Sequence, residues 1–244
     1  MGTAKLPKSD QVALVFVAPG RAPIRSLPMR ARIVVFGIAV LASTAALVSP
    51  TRAALALPPP SFGRTVDIGL VSGTVIVTLP NGSSFTLTSQ DRNIPIGSLI
   101  DTTHGRVDLR AAHPAARAAA SRVEDAQFFG GAFHVRQSSA LPVTQIRLSG
   151  GDFAACRAPA HAHPAAGLPH RVLRLLHASG TGRFQTTGRY AAATVRGTIW
   201  LTEDFCDGTL VRVTQGVVSV ENLVTHATVT VTAGQRYFAH APGA

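Results

Sequence analysis

Hydrophobic and polar residues alternate with a period of two over most of the chain after residue 65, the signature of half-buried strands. Val71–Thr78 alternates in this way and runs into Leu79-Pro80-Asn81-Gly82, after which Ser84–Thr88 returns. Asn-Gly favours a tight hairpin turn, so a first hairpin is predicted there. Val107–Arg110, Ala132–Arg136 and Thr144–Leu148 alternate likewise. The last third is densest, with runs at Ala193–Trp200, Leu210–Val213, Val217–Val220, Thr228–Thr232 and Arg236–Ala239. Asp207-Gly208, Gln215-Gly216 and Ala233-Gly234 punctuate them. Short Val/Thr-rich runs separated by glycine turns predict an all-β domain. Its antiparallel-rich strands would stack as a compact β-solenoid or a sandwich-like roll. Val195, Ile199, Val211, Val213, Val218 and Val220 are expected to face the core, with Trp200, the single tryptophan.

Two segments break the pattern. Ala111–Ser121 is alanine-rich, with Pro114 near its start, and reads as a short helix or a surface loop. The stretch 157–180 holds Ala, Pro and four histidines and reads as a flexible insert that feeds one more strand or a helical turn through Val172–Leu176.

The N-terminus has a different logic. From Met29 a short cationic head (Arg30, Arg32) leads into an uncharged stretch, Ile33–Val48, followed by Ala54-Leu55-Ala56. This order is that of a secretory signal peptide with a small-x-small cleavage box. No residue from Ile33 to Thr51 is charged, close to the ~20 residues that cross a bilayer, so an uncleaved anchor remains open. The basic residues precede it, and both readings place the rest beyond the cytoplasm. Met1 and Met29 are the two methionines, and residues 1–28 read as a disordered extension ahead of a start at Met29. The organisation expected is residues 1–28, a signal peptide or anchor helix at 29–56, a proline-rich linker at 57–65 and a β domain at 66–240.

Charge sharpens this. The chain of 244 residues carries 23 Lys and Arg against 12 Asp and Glu, a net charge of +11. Seven of the cations and one acid lie in residues 1–56, which leaves 16 arginines against 11 acids beyond. Those arginines are scattered singly, without the basic stripe and interleaved aromatics of a nucleic-acid binder, so no nucleic-acid partner is expected. Cys156 and Cys206 are the only cysteines. In an oxidising compartment an isolated pair reads as a disulfide, and closing so long a loop stabilises by roughly 4 kcal/mol in the chain-entropy model.

Candidate chemistry is sparse. The chain has no G-x-S-x-G elbow, phosphate-binding P-loop or H-E-x-x-H pair. The reading is therefore not an enzyme, with no catalytic residues and no cofactor. His161, His163, His170 and His177 crowd one segment, and Glu203, Asp204 and Asp207 surround Cys206. Imidazoles and carboxylates at such spacings can bind cations. The biased loop and the solvated turn are the plainer readings, and no metal site is assigned.

The C-terminal motifs carry a family resemblance. Ala191–Leu201, with Val195-Arg196-Gly197-Thr198-Ile199-Trp200, resembles the V-R-G-T-x-F/W strand of the FecR protein family. Val211–Val220, around Gly216, is similar to that family's V-x-x-G-x-V-x-V hairpin, and Thr230–Gln235, around Gly234, to its closing L-x-A-G-Q. Upstream, Ile94–Thr102 and Phe129–Val135 resemble two further segments of the family. The resemblance implies an extracytoplasmic β domain, secreted, periplasmic or anchored in the envelope. The structural motif residues would be Val195, Arg196, Gly197, Thr198, Trp200, Gly216 and Gly234. Family members include single-span relays between an outer-membrane receptor and a sigma factor. Here residues 1–32 are too few to build a cytoplasmic regulatory domain. The expectation is an exported β module that binds a protein or cell-envelope partner. The alternative is a single-span signal relay, with membrane contact only if residues 33–50 stay uncleaved.

Overall fold

The computed structural model describes residues 57–113, 122–156 and 171–243. Residues 29–56, expected to export or anchor the chain, and Pro114–Ser121, His161, His163 and His170 lie outside the described residues. The described chain is all β, with one 3₁₀ turn at Phe153–Cys156. Its fifteen strands are β1 (Thr65–Thr78), β2 (Ser84–Thr86), β3 (Arg92–Pro95), β4 (Leu99–His113), β5 (Arg122–Phe129), β6 (Ala132–Ser138), β7 (Leu141–Ser149), β8 (Arg174–Thr181), β9 (Phe184–Thr187), β10 (Ala191–Val195), β11 (Thr198–Asp204), β12 (Gly208–Gln215), β13 (Val217–Asn222), β14 (Thr228–Thr232) and β15 (Arg236–His240).

All fifteen strands belong to one continuous sheet, with a main path β14-β13-β10-β9-β7-β6-β4-β5-β8-β11-β12-β15. Pairing is antiparallel throughout except between β7 and β9. The path folds back on itself as a nearly closed roll, the second of the two stackings the sequence leaves open. One layer holds β14, β13, β10, β9, β7 and β6. The facing layer holds β15, β12, β11, β8 and β5. The two are joined at β4, whose Leu99–Asp101 pairs with β6 and whose Arg106–His113 pairs with β5. At this fork Thr102 is fully buried and exchanges backbone bonds with Gly130 and Gly131, both at 2.9 Å. β1 follows β4 along nearly its whole length, with register shifts at Leu70/Ser72 and Thr74/Ile76 that let the ribbon bend.

Phe128 sits at the centre of the interior, 5.1 Å from the Phe133 ring, 5.9 Å from Phe184 and 6.5 Å from Trp200. These four rings come from β5, β6, β9 and β11, so both layers meet on them. Val195, Val211, Val213, Val218, Val220 and Trp200 are buried as their pattern predicts. Ile199 is a correction: it is 39% exposed. With a period of two, Ile199 and Trp200 cannot both face inward. The pairing of β11 with β12 also slips one residue between them.

Three local expectations change in the same way. The run Ala193–Trp200 is two strands, because Arg196–Gly197 turns the chain from one layer to the other. β12 and β13 do not form a hairpin; each joins a different layer through Gly216. The Asn81-Gly82 pair is not the centre of a two-residue turn. Pro80 and Asn81 occupy the centre, Gly82 N donates to Leu79 O at 2.9 Å, and Gly82 takes the left-handed conformation with φ 87°. Pro80 fixes a negative φ there. The segment around Val172–Leu176 feeds strand β8.

Candidate functional site

Chain crossings between the layers define one end of the roll. β8 leads into β9 at Gly182, β10 into β11 at Arg196–Gly197, β12 into β13 at Gly216, and β14 into β15 around Gly234. The motif glycines Gly197, Gly216 and Gly234 have φ of 67°, 84° and 82°. At Gly216 a Cβ would also lie 2.7 Å from the Gly197 carbonyl oxygen, so a side chain there meets both strain and backbone. Thr198 is buried next to this corner and Arg196 is exposed on it. The motif is therefore the corner of a roll, with Trp200 as its inward anchor.

The opposite end carries the hairpin turns β9–β10 (Gly188–Tyr190) and β11–β12 (Phe205–Asp207). Cys156 and Cys206 form a disulfide here, with Cα atoms 5.3 Å apart, tying the 3₁₀ turn to the β11–β12 turn. Asp204 is the last residue of β11 and is fully buried. Arg174 Nε donates to its Oδ2 at 2.7 Å, the Arg189 backbone N donates to Oδ1 and Oδ2 at 2.9 and 3.1 Å, and the Thr209 hydroxyl donates to Oδ1. Tyr190 N donates in turn to Thr209 Oγ1 at 2.9 Å. One carboxylate thus binds the turn of one layer to the strands of the other. The three acids near Cys206 do not share a solvated turn: Asp204 is buried, while Glu203 and Asp207 are half-buried. Asp204 is turned inward by the strand alternation, whereas Glu203 faces outward beside His177. Among the described residues no group of three metal-ligating side chains forms.

Beside this network lies an open cavity of about 560 Å³, walled by Phe153, Arg189, Tyr190, the disulfide and Asp207. Two guanidiniums approach the Phe153 ring, Arg189 at 4.6 Å and Arg174 at 4.9 Å from its centroid, and Arg189 also lies 5.3 Å from the Tyr190 ring. Among the described residues Arg189 has no carboxylate within ion-pair distance. The cavity wall thus carries one guanidinium in contact with two aromatic rings.

A second polar cluster carries no sequence signal. His113, at the end of β4, is fully buried, with Nε2 3.1 Å from Glu124 Oε2 and 3.2 Å from Thr144 Oγ1. Gln137 Nε2 donates to Thr144 Oγ1 at 2.9 Å and to the Ala112 carbonyl at 3.0 Å. Burial holds the His113 pKa below its usual 6.5, against the opposing pull of Glu124. His177, from the histidine-rich segment, instead stacks on Phe129 at 4.6 Å, and burial lowers its pKa too.

The free margin of β14 is a third feature. Ala233 N donates to Gly216 O at 3.0 Å, and Asn222 N to Ala227 O at 2.8 Å. Odd-numbered residues here therefore turn their peptide groups toward β13, and Thr228, Thr230 and Thr232 turn theirs outward. Gln235 covers Thr232, accepting from its backbone N at 3.1 Å and donating to its carbonyl at 3.0 Å. The outward peptide groups of Thr228 and Thr230 have no partner among the described residues. The five residues of this margin include no charge and no proline, the usual guards of an exposed edge.

Comparison with protein-family models, with curated proteins and with solved structures finds no match for this chain.

Proposed function

We propose that this chain is an exported, non-enzymatic FecR-like β module that binds a protein or cell-envelope partner by accepting a strand along β14. The observation that carries the reading is the pair of outward, unpartnered peptide groups at Thr228 and Thr230. A partner strand laid there gains main-chain hydrogen bonds, as in β-augmentation. The disulfide supports a place beyond the cytoplasm, where such bonds persist. The placing of Gly197, Gly216 and Gly234 at successive layer crossings supports reading the FecR-like motifs as a fold signature.

The test is Thr230→Pro combined with photo-crosslinking from the same position in the producing cell. Proline removes the outward N–H, and an edge strand tolerates it. Crosslinking from Thr230 is expected to give one reproducible envelope adduct, absent from Thr194 at mid-sheet. T230P should keep the fold and lose the partner. Equal adducts at both positions, or a T230P chain that binds as before, would overturn the reading.

A further inference from the structure

At the corner end, three arginines far apart in sequence line one small cavity of about 380 Å³. Arg122 opens β5, Arg183 follows the β8–β9 crossing at Gly182, and Arg196 sits on the β10–β11 crossing; Glu124 and Gly182 complete the wall. Glu124 is the only acid among these lining residues, and it is already engaged. Its carboxylate meets His113 Nε2 at 3.1 Å and Arg183 Nε at 3.5 Å, and it accepts the Arg183 backbone N–H at 2.6 Å. Arg122 and Arg196 are exposed and have no carboxylate within ion-pair distance among the described residues. The cavity therefore presents three guanidiniums against one carboxylate, an excess of two positive charges.

One of the three is braced: Glu124 holds Arg183 through both its backbone and its side chain, while Gly197, at φ 67°, sets the turn that carries Arg196 to this corner. A guanidinium matches the paired oxygens of a phosphoryl group by two parallel N–H donors. Convergent arginines from separate strands are how such groups are gripped without a helix or a glycine-rich loop.

We propose that this cavity is a binding site for a dianionic phosphate group, with Arg122 and Arg196 gripping it and Arg183, braced on Glu124, closing its inner side. The site is independent of the β14 margin and goes beyond strand capture. It adds a recognition point for a phosphorylated ligand.

The test titrates the full chain with inorganic phosphate at low ionic strength, followed by calorimetry and by the arginine side-chain signals in NMR. Saturable binding is expected, with the Arg122 and Arg196 signals moving. R122Q and R196Q should each weaken it by about tenfold or more, the loss of a charge-assisted contact, while R147Q, an exposed arginine on the outer face of β7, leaves it unchanged. Unaltered thermal unfolding of the variants guards against misfolding. A second arm uses vesicles carrying phosphatidic acid. Binding that phosphate displaces and R196Q abolishes assigns a lipid headgroup; binding of free phosphate alone assigns a soluble ligand. The proposal is overturned if phosphate does not saturate, or if R122Q, R196Q and R147Q bind it equally well.

Discussion

Trp200 Nε1 donates a hydrogen bond to Thr186 Oγ1 at 2.9 Å, across the interior from β11 to β9. The Thr186 hydroxyl is also 2.8 Å from that of Thr202. The indole thus fills the centre of the core while its one polar atom is satisfied by the opposite layer, which fixes how the layers face each other. Hydrophobic packing alone would not set that registration.

Thr186→Val keeps shape and volume but leaves the Trp200 N–H buried without a partner. A loss of about 1–3 kcal/mol is expected, read from denaturant unfolding, with T186S recovering most of it. A T186V chain as stable as the parent would mean that the bond does not organise the core.

Asp204 is the second cross-layer fastening. Its carboxylate is fully buried, and its partner Arg174 is 17% exposed. Removing one member of such a pair leaves a buried charge unmatched, at a cost of about 3–5 kcal/mol. D204A should fall in this range by denaturant unfolding and should loosen the β9–β10 turn, seen as faster amide exchange at Arg189 and Tyr190. Unchanged exchange at both amides would contradict the role assigned to Asp204.

The buried His113 makes stability depend on pH. Its folded pKa lies below the ordinary 6.5, because desolvation outweighs the attraction of Glu124. Between the two values the unfolded chain binds more protons than the folded one. Stability from this group is therefore present above about pH 6.5 and is lost as pH falls through the folded pKa. H113Q should flatten that part of the stability profile, measured as thermal midpoint against pH. A profile with the same slope in both proteins would place the linkage elsewhere.

Reduction of the disulfide should lower stability by about 4 kcal/mol on the chain-entropy account. The C156S/C206S double variant should match the reduced protein in denaturant unfolding. A midpoint that does not move on reduction would show that the 3₁₀ turn at Phe153–Cys156 is held without the bond.

Much of this fold is legible in the sequence, because a period of two reports burial one residue at a time. Val211, Val213, Val218 and Val220 declare their inward face, and Cys156 and Cys206 declare each other by being the only pair. The crossings are not legible. Arg196–Gly197 interrupts what looks like one strand, and Gly216 looks like a hairpin turn, because whether a glycine reverses the chain within a layer or carries it to the next depends on partners distant in sequence. The same holds for function. Asp204 reads as a loop acid until the alternation of β11 is known to continue through it. Arg122, Arg183 and Arg196 read as scattered until the strands bring them to one cavity.

The chain is a disulfide-closed β fold, and the proposed function requires that it work beyond the cytoplasm. Intact mass spectrometry of the chain recovered from the producing cell's fractions tests it most directly. The predicted result is protein in the exported or envelope fraction, lighter by two hydrogens than the fully reduced chain. Protein confined to the cytosol, with Cys156 and Cys206 both open to alkylation, would contradict it.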